Sequence, residues 1–173
     1  DLIHAVESGD IDVTFTDIGP YETRPLTVRH LLDDPLVFLA PANAPEADLQ
    51  VVSIADIAHL PMIGTSNVAC RKIIDEAFRR APVSPTYVFR SDDHPTIQGL
   101  IGSGLAYAVL PLLAVDEDDT RVSVIPIRPP PPPRRLGIGW HPERRQPIAL
   151  MPFVEAASDL CDALAERLAA RAA

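Results

Sequence analysis

Pro61-Met-Ile-Gly-Thr-Ser-Asn-Val-Ala-Cys-Arg-Lys-Ile-Ile-Asp-Glu-Ala-Phe-Arg-Arg80 is a strand handing over to a helix. Pro61–Gly64 is short and apolar. Thr65, Ser66 and Asn67 follow, three residue types whose short polar side chains accept hydrogen bonds from the open end of a helix. Val68–Arg80 then places Ile73, Ile74, Ala77 and Phe78 on one face of a 3.6-residue period. The same alternation continues downstream. Thr86–Arg90 reads as a strand, and Ser91-Asp92-Asp93 caps a helix that has Pro95 in its first turn and Ile97, Leu100 and Ile101 on one side. Gly102 and Gly104 end that helix, and Leu105–Leu110 is a buried strand closed by Pro111. Upstream, Ser53 caps a short helix over Ile54–Ala58, and Leu36–Ala40 is a continuous apolar run, as in a strand buried on both faces.

The flanks are sparser. Asp1–Ser8 reads as a helix with Leu2, Ile3 and Val6 on one face, ended by Gly9. Ile11–Thr16 alternates with apolar residues at 11, 13 and 15, the period of a strand. Gly19-Pro20 breaks it, Thr23–Leu32 is extended, and Asp33-Asp34-Pro35 reads as a turn. Asp116–Asp119 is an acidic loop and Val122–Ile127 a strand. Pro129–Pro133 is a stiff polyproline connector. Leu136–Trp140 is a last strand, and Pro147–Ala170 a long helix. Strands alternating with helices imply an α/β fold with a mostly parallel sheet. The chain leaves a first lobe, builds a second and returns. The expected division is residues 1–42 and 142–173 for lobe I and 43–141 for lobe II, with hinge crossovers near 40–42 and 141–144. Lobe I lacks the opening βα unit that would complete its sheet.

Composition narrows the function classes. The 173 residues are 47% hydrophobic and 23% charged, enough for a packed core, with a net charge of −9. A surplus of carboxylates repels a phosphate backbone, so this chain is a poor direct binder of nucleic acid. The arginine pairs at 79–80, 134–135 and 144–145 read as solvated surface charge. No apolar run approaches the length of a membrane span. Cys70 and Cys161 are far apart, with no cysteine–histidine cluster, so neither a zinc site nor a disulfide framework is expected, and the usage suits a reducing cytoplasm. His4, His30, His59, His94 and His141 fall in unrelated segments, and no nucleophile elbow or nucleotide-binding glycine motif occurs. His94 beside Asp92 and Asp93 mimics an acid–base pair, but helix capping accounts for those aspartates. No catalytic residue, metal or cofactor is expected.

Five segments, in order, resemble the effector domains of LysR-type transcriptional regulators. Val52-Ser-Ile-Ala-Asp-Ile-Ala-His-Leu-Pro-Met-Ile63 is similar to their L-A-D-L-x-x-x-P-x-I segment, and Leu100-Ile-Gly-Ser-Gly-Leu-Ala-Tyr-Ala-Val-Leu-Pro111 to V-x-x-G-x-G-I-x-x-L-P. Ser8-Gly-Asp-Ile-Asp-Val-Thr-Phe15 resembles the x-G-x-L-D-x-A-I strand entry. Asp34-Pro-Leu-Val-Phe-Leu-Ala-Pro41 resembles the strand leading to the hinge, and Arg135-Leu-Gly-Ile-Gly-Trp140 the return strand. The resemblance implies a two-lobed fold of the periplasmic-binding-protein type (type 2). It implies a binding module that senses a small-molecule effector in the cleft between lobes, works as a homodimer or tetramer, and reaches DNA only through a helix-turn-helix absent from this N-terminally truncated chain. It implies no membrane partner. A transporter's solute-binding protein of the same fold is the alternative.

Ligands of such folds sit at the carboxyl ends of strands. Three strand ends are candidates: Thr16-Asp17, Gly64-Thr65-Ser66-Asn67 and Ser91-Asp92. The second combines hydroxyls with the amino end of a helix, which suits a carboxylate or other small anion. Plain helix capping explains the same residues, and a turn beside Gly19 explains Asp17. Some peroxide-sensing relatives carry a reactive cysteine near the start of the corresponding helix. Cys70, with Arg71 and Lys72 beside it, is weighed against that role and reads as an inert core residue, since Cys161 lies too far along the chain to resolve it.

Overall fold

The computed structural model describes residues 2–19 and 25–171, in two compact units: Asp1–Asp33 with Arg135–Arg167, and Asp34–Arg134 with Leu168–Ala173. The first unit opens with α1 (Leu2–Ser8), whose Val6 is buried. Gly9, at φ +85°, turns the chain out of the helix, and Gly9, Asp10 and Ile11 all donate their N–H groups to the Ala5 carbonyl. The Arg144 guanidinium lies where a Gly9 side chain would be and donates to the Glu7 carbonyl at 3.0 Å, and the positive φ makes any other residue strained there. A three-stranded sheet follows in the order β1 (Val13–Asp17), β8 (Arg134–Trp140), β2 (Thr27–Asp34), with β1 and β8 antiparallel from Val13↔Trp140 to Asp17↔Leu136. Leu31 and Ile138 pack with Leu150 and Val154 of α5 (Leu150–Arg171).

The expected alternation of Ile11–Thr16 holds in period but not in burial. Thr14 is buried, while Phe15 is 56% exposed and meets Phe153 edge-on, ring centroids 6.3 Å apart. β1 is an edge strand, so its outer end finds little cover. Asp33 and Asp34, expected in a turn, are the last residues of β2. The extended stretch expected from Thr23 begins at Thr27; residues 23 and 24 lie outside those described.

In the second unit β3 (Leu36–Pro41) is buried at every residue. It runs antiparallel to both neighbours, β6 (Ala108–Pro111) and β7 (Val122–Pro126), in the order β6-β3-β7. β4 (Pro61–Thr65) and β5 (Thr86–Ser91) pair in parallel, joined by α3 (Val68–Arg80). Tyr107 ties the two sheets: its N–H donates to the Pro61 carbonyl at 3.0 Å, and its carbonyl accepts from Ile63 N–H at 2.7 Å. The mostly parallel sheet expected from the alternation is therefore corrected to a mixed one. β3 follows β2 through a single residue, Pro35, and runs against both of its partners, whereas helix-linked β4 and β5 run together.

The core of this unit gathers Phe38, Ile57, Met62, Ile74, Phe78, Val109 and Ile125 between the sheet and the helices α2 (Ile54–Ile57) and α3. Tyr107 stacks on Phe38 at 5.6 Å. α4 (His94–Gly102) buries Ile97 and Ile101, and Gly104 at φ +83° follows its end. The line between units falls at Asp33/Asp34 and Arg134/Arg135, ahead of the crossovers expected near 40–42 and 141–144. β3 hydrogen-bonds along its length to β6 and β7 and so belongs with them, and β8 belongs with β1 and β2. Asp34 and Arg134, a hundred residues apart, meet in a buried ion pair at this line. Arg134 donates to Asp34 Oδ2 through Nη2 at 2.6 Å and Nε at 3.1 Å, and Leu113 N–H donates to Oδ1 at 3.0 Å.

Candidate functional site

β4 ends at Thr65 and α3 begins at Val68, so the peptide between them must turn a strand's carboxyl end into a helix's amino end within two residues. Each polar group in the turn has a defined partner. Thr65, 1% exposed, accepts the Asn67 N–H on its hydroxyl at 3.1 Å. Asn67 is the N-cap, its Oδ1 accepting from Cys70 N–H at 3.1 Å. Ser66 N–H donates to the Ser91 carbonyl at 3.1 Å, which fastens the ends of β4 and β5 side by side in the register Thr65↔Ser91. The N–H groups of Val68 and Ala69, in the first turn of α3, find no acceptor among the described residues. Open helix ends of this kind leave donors directed at solvent or a ligand. The Ser66 and Asn67 side chains are exposed beside them.

Ser91 and Asp92 lie next to this turn. Ser91 Oγ accepts the Asp93 N–H at 3.1 Å, and Asp93 caps α4 by accepting the Thr96 N–H at 2.8 Å; hydrogen bonds from the Thr96 side chain and then its backbone hold the Asp93 carboxyl below the usual aspartate range. Asp92 is exposed. His94 follows as the first residue of α4. Burial, and then the nearby Arg134 charge, push its imidazole below the ordinary histidine range, and its Nε2 is buried without a hydrogen-bond partner. Asp93 is occupied as a helix cap, so the acid–base pairing that His94 and its neighbours suggest in the sequence has no support in the geometry.

Of the eight candidate residues, Gly64, Thr65, Ser66, Asn67, Ser91 and Asp92 thus come together in the second unit. Thr16 and Asp17 end β1 in the first unit, half-buried, with the Thr16 hydroxyl 3.4 Å from the Asp17 carbonyl. Cys70 is buried among core residues. Sequence reasoning missed Arg90. Its guanidinium lies over the Tyr87 ring, 4.0 Å from the centroid, and Nη1 donates to the Thr65 carbonyl at 3.4 Å. Its signal is register: Arg90 pairs with Gly64. Two open grooves, of about 360 and 470 Å3, lie elsewhere, one beside Thr27 and His141 and the other beside Phe78 and Pro82. Among the described residues, no group of acidic, histidine and cysteine side chains is arranged to hold a metal, and no helix is long and apolar enough to cross a membrane.

The family model for the LysR substrate binding domain matches residues 1–162. The chain belongs to this family. A LysR-type domain so placed has relatives in sequence and in structure. It is 27% identical over 141 residues to the uncharacterized HTH-type transcriptional regulator YybE of Bacillus subtilis (strain 168), covering 80% of this chain and 47% of that protein. It superposes on HinK, a LysR family transcriptional regulator from Pseudomonas aeruginosa, with a TM-score of 0.81 at 20% identity, covering 92% of this chain and 56% of that one. The effector binding domain of QuiR, solved in complex with shikimate, gives a TM-score of 0.80 at 18% identity, covering 93% of this chain and 77% of that one. This LysR-type chain therefore spans about half the length of the two whole regulators, YybE and HinK, and its fold is the type 2 periplasmic-binding-protein fold expected from the five segments.

Proposed function

We propose that this chain is the sensing part of a cytoplasmic LysR-type transcriptional regulator. It binds a small-molecule effector without transforming it, and it passes occupancy on to homo-oligomeric partners and to a DNA-reading segment outside these 173 residues. The observation that carries this reading is the family match across residues 1–162. It favours a regulator over a transporter's solute-binding protein. The site geometry adds ligand chemistry. Ser66, Asn67 and the unsatisfied N–H groups of Val68 and Ala69 present donors at the positive end of α3, which suits a carboxylate. Shikimate, bound by QuiR, is such an acid. Thr16 and Asp17 at the end of β1, and Ser91 and Asp92 at the end of β5, are proposed as further effector contacts. The two compact units are proposed to be the two effector-domain lobes.

A thermal-shift screen over small carboxylates and aromatic acids tests the proposal, because a ligand that binds only the folded state raises the melting temperature. At least one acid is expected to do so in a saturable way, while its amide does not. Stabilisation by neutral compounds alone would move the site away from the Thr65–Asn67 turn.

A further inference from the structure

Arg90 occupies a place made for it. Gly64 faces it across the β4–β5 pair, and a side-chain carbon at Gly64 would stand 2.9 Å from Arg90 Nη1 and 2.9 Å from Tyr87 Cδ1 and Cε1, closer than real carbon contacts allow. The bare backbone at Gly64 is what lets the Tyr87–Arg90 stack lie down over β4. The stack is fixed at both ends. Tyr87 Oη reaches Asp75 Oδ1 of α3 at 3.5 Å, and the Arg90 guanidinium rests on the ring and on the Thr65 carbonyl. A stacked, planar cation loses less freedom when it binds than a waving one.

Arg90 also lacks the partner that an arginine usually finds. The chain has 24 acidic residues against 15 basic ones, yet among the described residues no carboxylate lies within salt-bridge distance of Arg90. Glu76, Asp119 and Asp34 each hold an arginine elsewhere. The guanidinium is anchored through one nitrogen to the carbonyl of the residue that opens the donor-rich turn, so its remaining N–H groups stay available to an incoming anion. An arginine forks onto a carboxylate with paired hydrogen bonds, which a lone ammonium cannot do.

We propose that Arg90 is the residue that sets the charge preference of this site: it pairs with the carboxylate of an acidic effector whose other contacts are the Ser66–Ala69 donors. This inference rests on the reading of the Thr65–Asn67 turn as the anion end of the effector site. The test is a titration of the isotope-labelled 173-residue chain with succinate and benzoate, against succinamide and benzamide, followed on the Val68 and Ala69 amide signals and the Arg90 Nε–H signal. The carboxylates are expected to move all three signals along one binding curve, and the amides to move none. Arg90→Gln should weaken carboxylate binding about tenfold, the effect of losing one charge-assisted hydrogen bond, while lowering the melting temperature of the unliganded chain only slightly through the lost stack on Tyr87. Arg90→Lys should recover part of the loss, and Gly64→Ala, which displaces the stack, should reproduce it. Equal carboxylate binding by wild type and Arg90→Gln, with Val68 and Ala69 still responding, would overturn the role of Arg90 alone. Carboxylates that leave the Val68 and Ala69 signals unmoved would overturn the turn itself as the anion site, and Arg90 with it.

Discussion

Thr65 and Ser66 are neighbours with different work. Thr65 is buried, and its hydroxyl already holds the Asn67 N–H, whereas the Ser66 hydroxyl is exposed at the open end of α3. Thr65→Ala should therefore lower stability by about 1 kcal/mol, the usual effect of losing a local cap bond, as read by urea unfolding. Ser66→Ala should leave stability unchanged and weaken binding of an acidic effector by about one to two decades in calorimetry. The sequence placed both residues at a strand end and a helix start. It did not separate them, because burial of a hydroxyl depends on what packs beside the strand, here β5 paired along β4. Asp34 shows the same limit. Read as part of a turn, it is fully buried, and burial pushes its carboxyl above the ordinary aspartate range despite the lowering effect of Leu113 N–H and Arg134. A raised value means the folded state holds the proton more tightly, so ionising Asp34 costs stability as pH rises. Arg134 offsets that cost. Arg134→Met should destabilise by roughly 3–5 kcal/mol, since it strands a buried charge, and adding Asp34→Leu should restore most of the loss in denaturant melts.

At the scale of elements, α3 was legible to its last residue, because its cap, its apolar face and its closing arginines are all local. Those arginines matter to acid stability. Arg79 and Arg80 both donate to Glu76 and pull its carboxyl down to about 2. A carboxylate lowered in the folded state stabilises above its unfolded value and loses that contribution as pH falls. The wild-type melting temperature should therefore drop between pH 4.5 and about 2 more steeply than that of Glu76→Gln. Equal slopes in the two pH series would mean that the exposed pairs do nothing for the helix. Strand direction was the illegible part. β3, β6 and β7 are apolar runs whether parallel or antiparallel, and the deciding fact, that β3 pairs antiparallel with both β6 and β7, joins distant stretches of chain and has no composition signal.

For the whole molecule, the charge of −9 makes a prediction about division of labour. If reading DNA belongs to a separate segment, the 173-residue chain alone should not bind duplex DNA of any sequence at physiological salt, in fluorescence anisotropy, with or without a carboxylate effector. Salt-sensitive binding by the isolated chain would contradict the proposed separation of sensing from DNA recognition. The family was legible because its five segments fall on strand entries and helix ends, where backbone geometry restricts the residue type. The candidate site was legible only as loops. Arg90, proposed to join it, lies against a bare backbone position on the neighbouring strand, a relation between β4 and β5 that no single stretch of sequence contains.

The Asp34–Arg134 clasp also makes residues 34–134 a cassette whose two ends already touch. A segment with adjoining ends can be lifted out, or closed into a ring, without stretching its backbone. Expressed by itself, or cyclised through a short glycine linker between those ends, it should keep its own cooperative melt, and the ring should melt higher because closure removes freedom only from the unfolded chain.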